Sequence, residues 1–491
     1  MTPAPLVLVT GVTGYVGGRL VPELLQVGYR VRVVARFPER LSGHEWRPHV
    51  EVVRGDVADP DVLAKSLADV DVAYHLITRL TAGLVTDPAV LAAARAFGRA
   101  AADAGVGRVV CLSRLRTDGP EHPDDVADVL LASGVPTAVL RAGVIIGSGS
   151  ASFEMLRYLT ERLPVMVTPR WLLHEVQPVA VRDVLRYLVG VATLPEEVSR
   201  SFDIGGPDVL SYRDMMQRYA TVAGLPRRVI IPLAVRTPRM SAHWVGLVTP
   251  VPHRIARPLV AGLEHDAVCS ELDVQRWVPD PPGGRLGFDR AVELALQRVR
   301  EATVTTRWTS AGTPGSPSDP LPSDPDWAGG SLYVDERATA VRASPENLWA
   351  VIQGIGGENG WYSWPLAWSV RGWLDRFSGG PGLTRGRRDP AKVNVGDALD
   401  WWRVEEVAPM RLLRLRAEMK APGLAWLELL VEQDPVGRTL FRQRALFHPR
   451  GLAGHAYWWA VAPFHAFVFG GMQANVALAA ERLQRETDRD R

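Results

Sequence analysis

Lysine is almost missing from this chain. Across 491 residues only Lys65, Lys392 and Lys420 interrupt an otherwise all-arginine set of basic side chains. One catalytic device is therefore excluded, a tyrosine followed four residues later by a lysine that lowers its pKa and lets it give up a proton. The positions four before the lysines hold Asp61, Arg388 and Arg416. Cysteine is as scarce: Cys111 and Cys269 lie in apolar or mixed surroundings, which argues against a disulfide framework and against a thiolate metal site. Both read as small buried hydrophobes, and no metal is expected. Charge of one sign is lacking too, since 56 basic and 54 acidic residues leave +2. That balance gives no electrostatic case for a nucleic-acid partner. The first residues run straight into a strand-like segment without a basic region or cleavage site, so the expected location is cytoplasmic.

Long apolar runs are rare, with one exception. Residues 451–480, GLAGHAYWWAVAPFHAFVFGGMQANVALAA, contain no Asp, Glu, Lys or Arg and are long enough to span a bilayer. His455, Pro463, His465, Gln473 and Asn475 within the run argue against stable membrane insertion. A helix packed on a sheet is the expectation.

What is present divides near residue 303. Residues 1–302 alternate strand-like and helix-like segments: LVLVT, a helix from Tyr15 to Gln26, RVRVVAR, VEVVRGDV, a helical PDVLAKSLADV, DVAYHLI, an Ala-rich helix near 88–104, and RVVCLS. VPTAVLRAGVIIG reads as one further, fully buried strand. This order predicts an α/β fold, a doubly wound parallel sheet of Rossmann type covered on both faces. Residues 303–330, rich in Pro, Ser, Gly and Asp and without periodicity, read as a linker. Residues 331–491 form a separate α+β domain, and ten of the sixteen tryptophans lie there. It opens with a strand and a helix capped by Ser344 with Pro345 in its first turn. DALDWWRVEEV, RLLRLRAEM, GLAWLELLVEQD and GRTLFRQRALFHP follow as antiparallel strands, and a helix from about Gly454 to Gln484 closes the chain.

The first segment carries the clearest chemistry. In LVLVTGVTGYVGGRL, glycines 11, 14 and 17 follow a strand and open a helix. Gly11 permits the tight turn, Gly14 lets backbone approach a diphosphate, and Gly17 lets helix pack on strand. The helix N-terminus then meets the phosphates with N–H groups and a positive dipole end. Thr13, Tyr15 and Val16 complete the expected cofactor loop. At the end of the next strand, VVARFPER, Ala35 and Arg36 stand where an NAD-selecting carboxylate would lie, with Arg40 one turn on. A planar guanidinium suits a 2′-phosphate. NADP(H) is thus the expected cofactor, and NAD the alternative if both arginines simply face solvent. Asp56, followed by Val57, sits after the third strand, where its carboxylate either accepts from an adenine amino group or caps the next helix.

With TGVTGYVGGRL, VVARFPERL, GDVAD, VVCLS and VLRAGVIIGSGS on the page, residues 5–300 resemble the extended or atypical short-chain dehydrogenase/reductases, near their NmrA-like members. VQPVAVRDV and FDIGGPDVLSYRDMM add to the likeness. It implies an NAD(P)-binding unit whose substrate cleft lies at the strand C-termini, and an oxidoreductase acting on an apolar small molecule. The rival is a non-catalytic nucleotide sensor, favoured by the missing Tyr/Lys pair. Ser113 matches the position of that family's catalytic serine; it either polarises a carbonyl or bonds nearby backbone. His122, next to Glu121, is either a proton donor or a solvated loop residue. Arg141 either reaches cofactor or substrate, or pairs with a carboxylate. The C-terminal order resembles the helix-grip fold of START-like and polyketide-cyclase-like proteins, with FHPRGLAGHAYWW and PFHAFVFGGM shared with an uncharacterised domain that follows atypical reductase units. This likeness implies an apolar cavity, the alternative being a filled core, with the closing helix lining one wall through Tyr457, Trp458, Phe464, Phe467 and Phe469; the spacing of Tyr457, His465 and Phe469 is read as placing them on one face.

Overall fold

The computed structural model describes residues 4–41, 44–77, 88–116, 126–233, 265–304, 331–356, 361, 393–418, 421–434 and 436–489. The chain divides into two compact units, Met1–Gly330 and Ser331–Arg491.

In the first unit, strands β1 Leu6–Thr10, β2 Arg30–Ala35, β3 Glu51–Arg54, β4 Val72–His75, β5 Arg108–Arg114 and β6 Thr137–Ala142 alternate with helices α1 Tyr15–Val27, α2 Pro60–Leu67, α3 Pro88–Asp103 and α4 Val126–Leu131. The short strands β7 Ile145–Ile146, β8 Val165–Pro169, β9 Glu175–Val176 and β10 Val179–Ala180 lead to β11 Arg200–Ile204, then to β12 Leu210–Ser211 and β13 Val229–Leu233. The main sheet is all parallel, in the order β11-β6-β5-β4-β1-β2-β3. Its central strands β1 and β4 are largely apolar and buried because both faces are covered, whereas β2, β3 and β11 at and near the edges carry charged residues. Alternate residues of β1 show this: Val7 and Val9 join the core with Leu20 and Leu24 of α1, while Leu6 and Leu8 join Leu63 of α2 and Phe97 of α3. The chain leaves β1 for β2 on one side and returns to β4 on the other. That switch point opens a crevice at the strand C-termini.

VPTAVLRAGVIIG does not form one strand. It breaks into β6 of the main sheet and β7, which pairs with β10 instead. The break falls at Gly143, where a Cβ would stand 3.1 Å from the Gln177 carbonyl oxygen and 3.2 Å from Leu115. Beyond it, helices α5 Ala151–Arg162, α6 Val181–Gly190 and α7 Tyr212–Val222 continue the unit, and a last helix covers Phe288–Val304. α5, α7 and Phe288–Val304 share a second core through Phe153, Met215, Tyr219 and Val292.

The second unit is a six-stranded antiparallel sheet in the order β14-β19-β18-β17-β16-β15. Its strands are β14 Tyr333–Ala340, β15 Ala398–Leu399, β16 Trp402–Ala408, β17 Leu412–Ala417, β18 Gly423–Gln433 and β19 Thr439–Pro449. DALDWWRVEEV is not one strand either: Asp400 takes a left-handed φ of 54° and turns the chain between β15 and β16. Helix Pro345–Gln353 is capped by the Ser344 hydroxyl, which accepts from the Asn347 N–H. One sheet face packs Leu413, Leu427, Leu429 and Phe441 against Leu348 and Ile352 of that helix, and against Phe469, Met472, Val476 and Ala480 of the C-terminal helix Gly451–Arg489. The other face carries Glu406, Arg414, Glu428, Arg444 and Glu336 side by side across five strands, alternating in charge.

Tyr457 and Phe469 do not lie on one line of the C-terminal helix, since twelve residues at 100° each leave them about 120° apart. Tyr457 meets the Phe447 ring at 5.4 Å and Phe469 enters the core. The side chains of Phe464, His465 and Phe467 lie outside the described residues. Among the described residues, no helix is long and apolar enough to cross a membrane.

Candidate functional site

The crevice between β1 and β4 is built by close backbone contacts. Thr10 ends β1 and its hydroxyl donates to the Tyr74 carbonyl at 2.9 Å, tying the two strands together at the switch point. Gly11 has φ +72°, and a Cβ there would lie 2.7 Å from the Leu76 carbonyl oxygen. The Gly14 N–H closes the turn on the Gly11 carbonyl at 2.9 Å. A Cβ at Gly17 would lie 2.4 Å from that same carbonyl oxygen, so α1 starts directly against the turn. Gly14 caps α1 with no side chain, and the first turn holds no acid. Thr13 and Gly14 are exposed at the tip, with Tyr15 and Val16 half-buried behind them. This cradle has room for a diphosphate where side chains would otherwise fill it.

Arg19 was not a sequence candidate, yet it braces the loop. It is 2% exposed, stacks its guanidinium 4.1 Å over the Tyr15 ring, and donates to the Tyr15 and Ser148 carbonyls at 3.1 and 3.2 Å. The Tyr15 hydroxyl lies 2.2 Å from where a Gly147 Cβ would stand. Tyr15 is thus turned toward the loop after β7. An arginine on the inner side of α1, two residues after Gly17, was the available signal.

At the ends of β2 and β3, Arg36 is exposed and lies 3.7 Å from the Asp56 carboxylate. Arg40 extends over the Phe37 ring at 5.4 Å. Arg54 on β3, also not anticipated, is the register partner of Ala35 and pairs with Glu39. Asp56 accepts from the Ala58 N–H at 3.0 Å, and Asp59, not Asp56, caps α2 by accepting from Asp61. Val57 packs against the core beneath α2 and α3.

On the other side of the crevice, β5 and β6 bring Ser113 and Arg141 together as register partners. The Arg141 side chain is 12% exposed and stands 3.9 Å from Asp128 of α4, which also takes Arg116 at 3.1 Å. Arg141 thus has a carboxylate within ion-pair distance, while its Nε is buried with no hydrogen-bond partner among the described residues. His122 lies outside the described residues. Cys111 is buried, whereas Cys269 is only half-buried; burial still pushes its thiol up to about 12, so it stays protonated.

His75 ends β4, in register with Thr10 and Cys111. Its ring packs 4.7 Å from Phe97, and burial pushes its pKa down to about 4. It is held neutral in the fold. The unfolded chain takes up a proton near the ordinary value of 6.5, so the linked stability is complete above that pH and falls as pH drops from 6.5 toward 4. The loss approaches about 1.4 kcal/mol per pH unit. Melting temperatures of His75→Phe should fall less steeply over this window than those of the parent; parallel profiles would contradict the burial argument.

Comparison with known proteins follows the same division. Residues 11–142 match the family described as NAD(P)H-binding, and residues 327–472 match a family described as a protein of unknown function, DUF2867. The (4-alkanoyl-5-oxo-2,5-dihydrofuran-3-yl)methyl phosphate reductase of Streptomyces griseus subsp. griseus is 29% identical over 236 residues, covering 45% of this chain and 76% of that protein. The ceramide reductase of Caulobacter vibrioides is 31% identical over 176 residues, 33% of this chain; the chain spans 53% of that relative's length. Among solved structures, triphenylmethane reductase of Citrobacter sp. is 18% identical, covering 60% of this chain and 99% of its own, with a TM-score of 0.49. The first unit therefore holds an NAD(P)H-binding Rossmann domain, and the second a domain of unknown function.

Proposed function

We propose that this protein is an NADP(H)-dependent reductase for a small, largely apolar carbonyl compound. The observation that carries the reading is the glycine cradle at the β1/β4 switch point, followed at the end of β2 by Arg36 in place of an acid. Bound nicotinamide would supply hydride transfer. The chain's own residues would do the rest. Gly11, Gly14 and the N–H groups opening α1 hold the diphosphate, and Arg36, with Arg54 close by on β3, meets a 2′-phosphate in exchange for its exposed pairing with Asp56. Ser113 donates a hydrogen bond to a carbonyl oxygen at the strand ends, with the Arg141 guanidinium beside it favouring negative charge there. Relatives named for an alkanoyl-bearing furanone phosphate and for ceramide support an apolar, acyl-bearing substrate.

The missing Tyr/Lys pair favours a second reading, a nucleotide sensor without turnover, in which the antiparallel second unit holds a ligand as helix-grip proteins do. Titration of the full chain with NADPH and NADH tests the cofactor assignment. NADPH should bind about tenfold more tightly, on the order of 1.4 kcal/mol, and Arg36→Asp should erase the preference. Equal affinities in the parent would refute NADP(H) selection. Tight NADPH binding with no oxidation across long-chain ketones and lactones would favour the sensor.

A further inference from the structure

Buried side-chain amides normally have partners, yet the second unit holds two that lack one, both at a single turn of its C-terminal helix. Gln443 is 1% exposed. It lies on the core face of β19, alternating with Phe441 and Ala445. Its register partners are Leu429 on β18 and Arg337 on β14. The Gln443 Nε2 makes a long contact of 3.4 Å to the Phe469 carbonyl, and its Oε1 is buried with no hydrogen-bond partner among the described residues. One turn beyond Phe469, the Gln473 Nε2 is also buried and without a partner among them. Around the helix axis, Gln473 falls about 40° from Phe469 and Gly470 about 100°, in the same sense. Gly470 faces β14, since a Cβ there would lie 3.1 Å from an Arg337 guanidinium nitrogen. Gln473 therefore leans toward the strand pair that carries Arg337 and Gln443. Arg337 donates twice to the Asp335 carboxylate, at 3.0 and 3.1 Å, so these two charges cancel. β14 is an edge strand, and the half-buried Asp335 and Arg337 bring this corner within reach of solvent.

We propose that the corner between β14, β19 and the turn Phe469–Gln473 binds a small neutral compound through an amide or lactam group. Such a group has an N–H to donate to the Gln443 Oε1 and a carbonyl oxygen to accept from the Gln473 Nε2. Its apolar remainder would lie with Leu429, Phe441 and Met472 of the core. Complementarity decides the class. A carboxylate has no donor for the Gln443 Oε1 and would stand close to Asp335. An ammonium has no acceptor for the Gln473 Nε2 and would stand close to Arg337. An ester or ketone answers Gln473 alone and leaves an acceptor orphaned in the core. The site rests on the reading in which the second unit holds a ligand, and not on turnover in the first.

The test is calorimetric titration of the full chain with hexanamide, methyl hexanoate and hexan-1-ol. Hexanamide should bind about tenfold more tightly than the other two, and Gln443→Leu and Gln473→Leu should each remove that preference. Without ligand, both variants should melt at the parent's temperature or above it, because each replaces an orphaned polar atom with an apolar side chain. NADPH affinity should be the same in all three proteins. Equal binding of the three compounds would overturn the amide assignment while keeping a ligand-holding second unit. No binding of any of them would overturn both and leave the nucleotide site standing. A lowered melting temperature in both variants, with no preference for the amide in the parent, would make the pair a station for buried water and overturn the proposal as well.

Discussion

Gly17→Ala should lower affinity for NADPH and NADH alike by about a hundredfold, roughly 2.7 kcal/mol. The added Cβ would stand 2.4 Å from the Gly11 carbonyl oxygen and 3.1 Å from the Val12 Cα. Both are backbone atoms, so neither can swing aside. Either α1 moves outward or the turn flattens, and each displaces the N–H groups that meet the diphosphate. Gly28→Ala is the control. Gly28 ends α1 with φ +101° and nothing within 4 Å of the added Cβ. That variant should lose about 1 kcal/mol of stability from backbone strain and keep its affinity. Fluorescence titration and urea unfolding of both proteins separate the two effects. Unchanged nucleotide affinity in Gly17→Ala would remove the cradle from the binding site.

Glu428→Leu should destabilise the second unit by about 3–5 kcal/mol. Glu428 is 0% exposed at the centre of the charge row, 2.9 Å from Arg414 and 3.2 Å from Arg444. Removing its carboxylate leaves Arg414 with Glu406 alone and Arg444 with Glu336 alone, two guanidinium groups facing each other across an apolar gap, with Arg414 itself buried. The register makes this an all-or-none arrangement, because each charge is bonded across a strand to the opposite one. Glu336→Gln, at the exposed edge, should cost no more than about 1 kcal/mol. Thermal unfolding of the two variants measures the contrast. Similar small losses in both would mean that the row is screened by solvent and not a buried network.

The first unit was legible because its signals are local. A strand, three glycines at fixed spacing and a helix leave few conformations for the chain, and Gly11 takes the left-handed turn that its place in the motif requires. The broken strands were not legible in the same way. VPTAVLRAGVIIG has continuous β-branched character, and only the approach of the Gln177 carbonyl to Gly143 shows where it leaves one sheet for another. DALDWWRVEEV hides its turn in Asp400, a residue that tolerates a left-handed φ without announcing it as glycine would. Arg19 and Arg54 escaped notice because the sequence holds so many arginines that no single one stands out.

Composition and spacing alone therefore determined three things: that no Tyr-x-x-x-Lys exists, that a dinucleotide loop opens the chain, and that a second, tryptophan-rich domain follows. Each is a property of neighbours along the chain or of a residue type that is simply missing. Tertiary structure decided what depends on strands and helices far apart in sequence. It put Ser113 beside Arg141, set Arg141 near Asp128, lined up five alternating charges across the second sheet, and turned one face of the helix that carries the uncharged run into core and the other to solvent. Register and burial set those pairings, and neither is written in the spacing of residues along one segment.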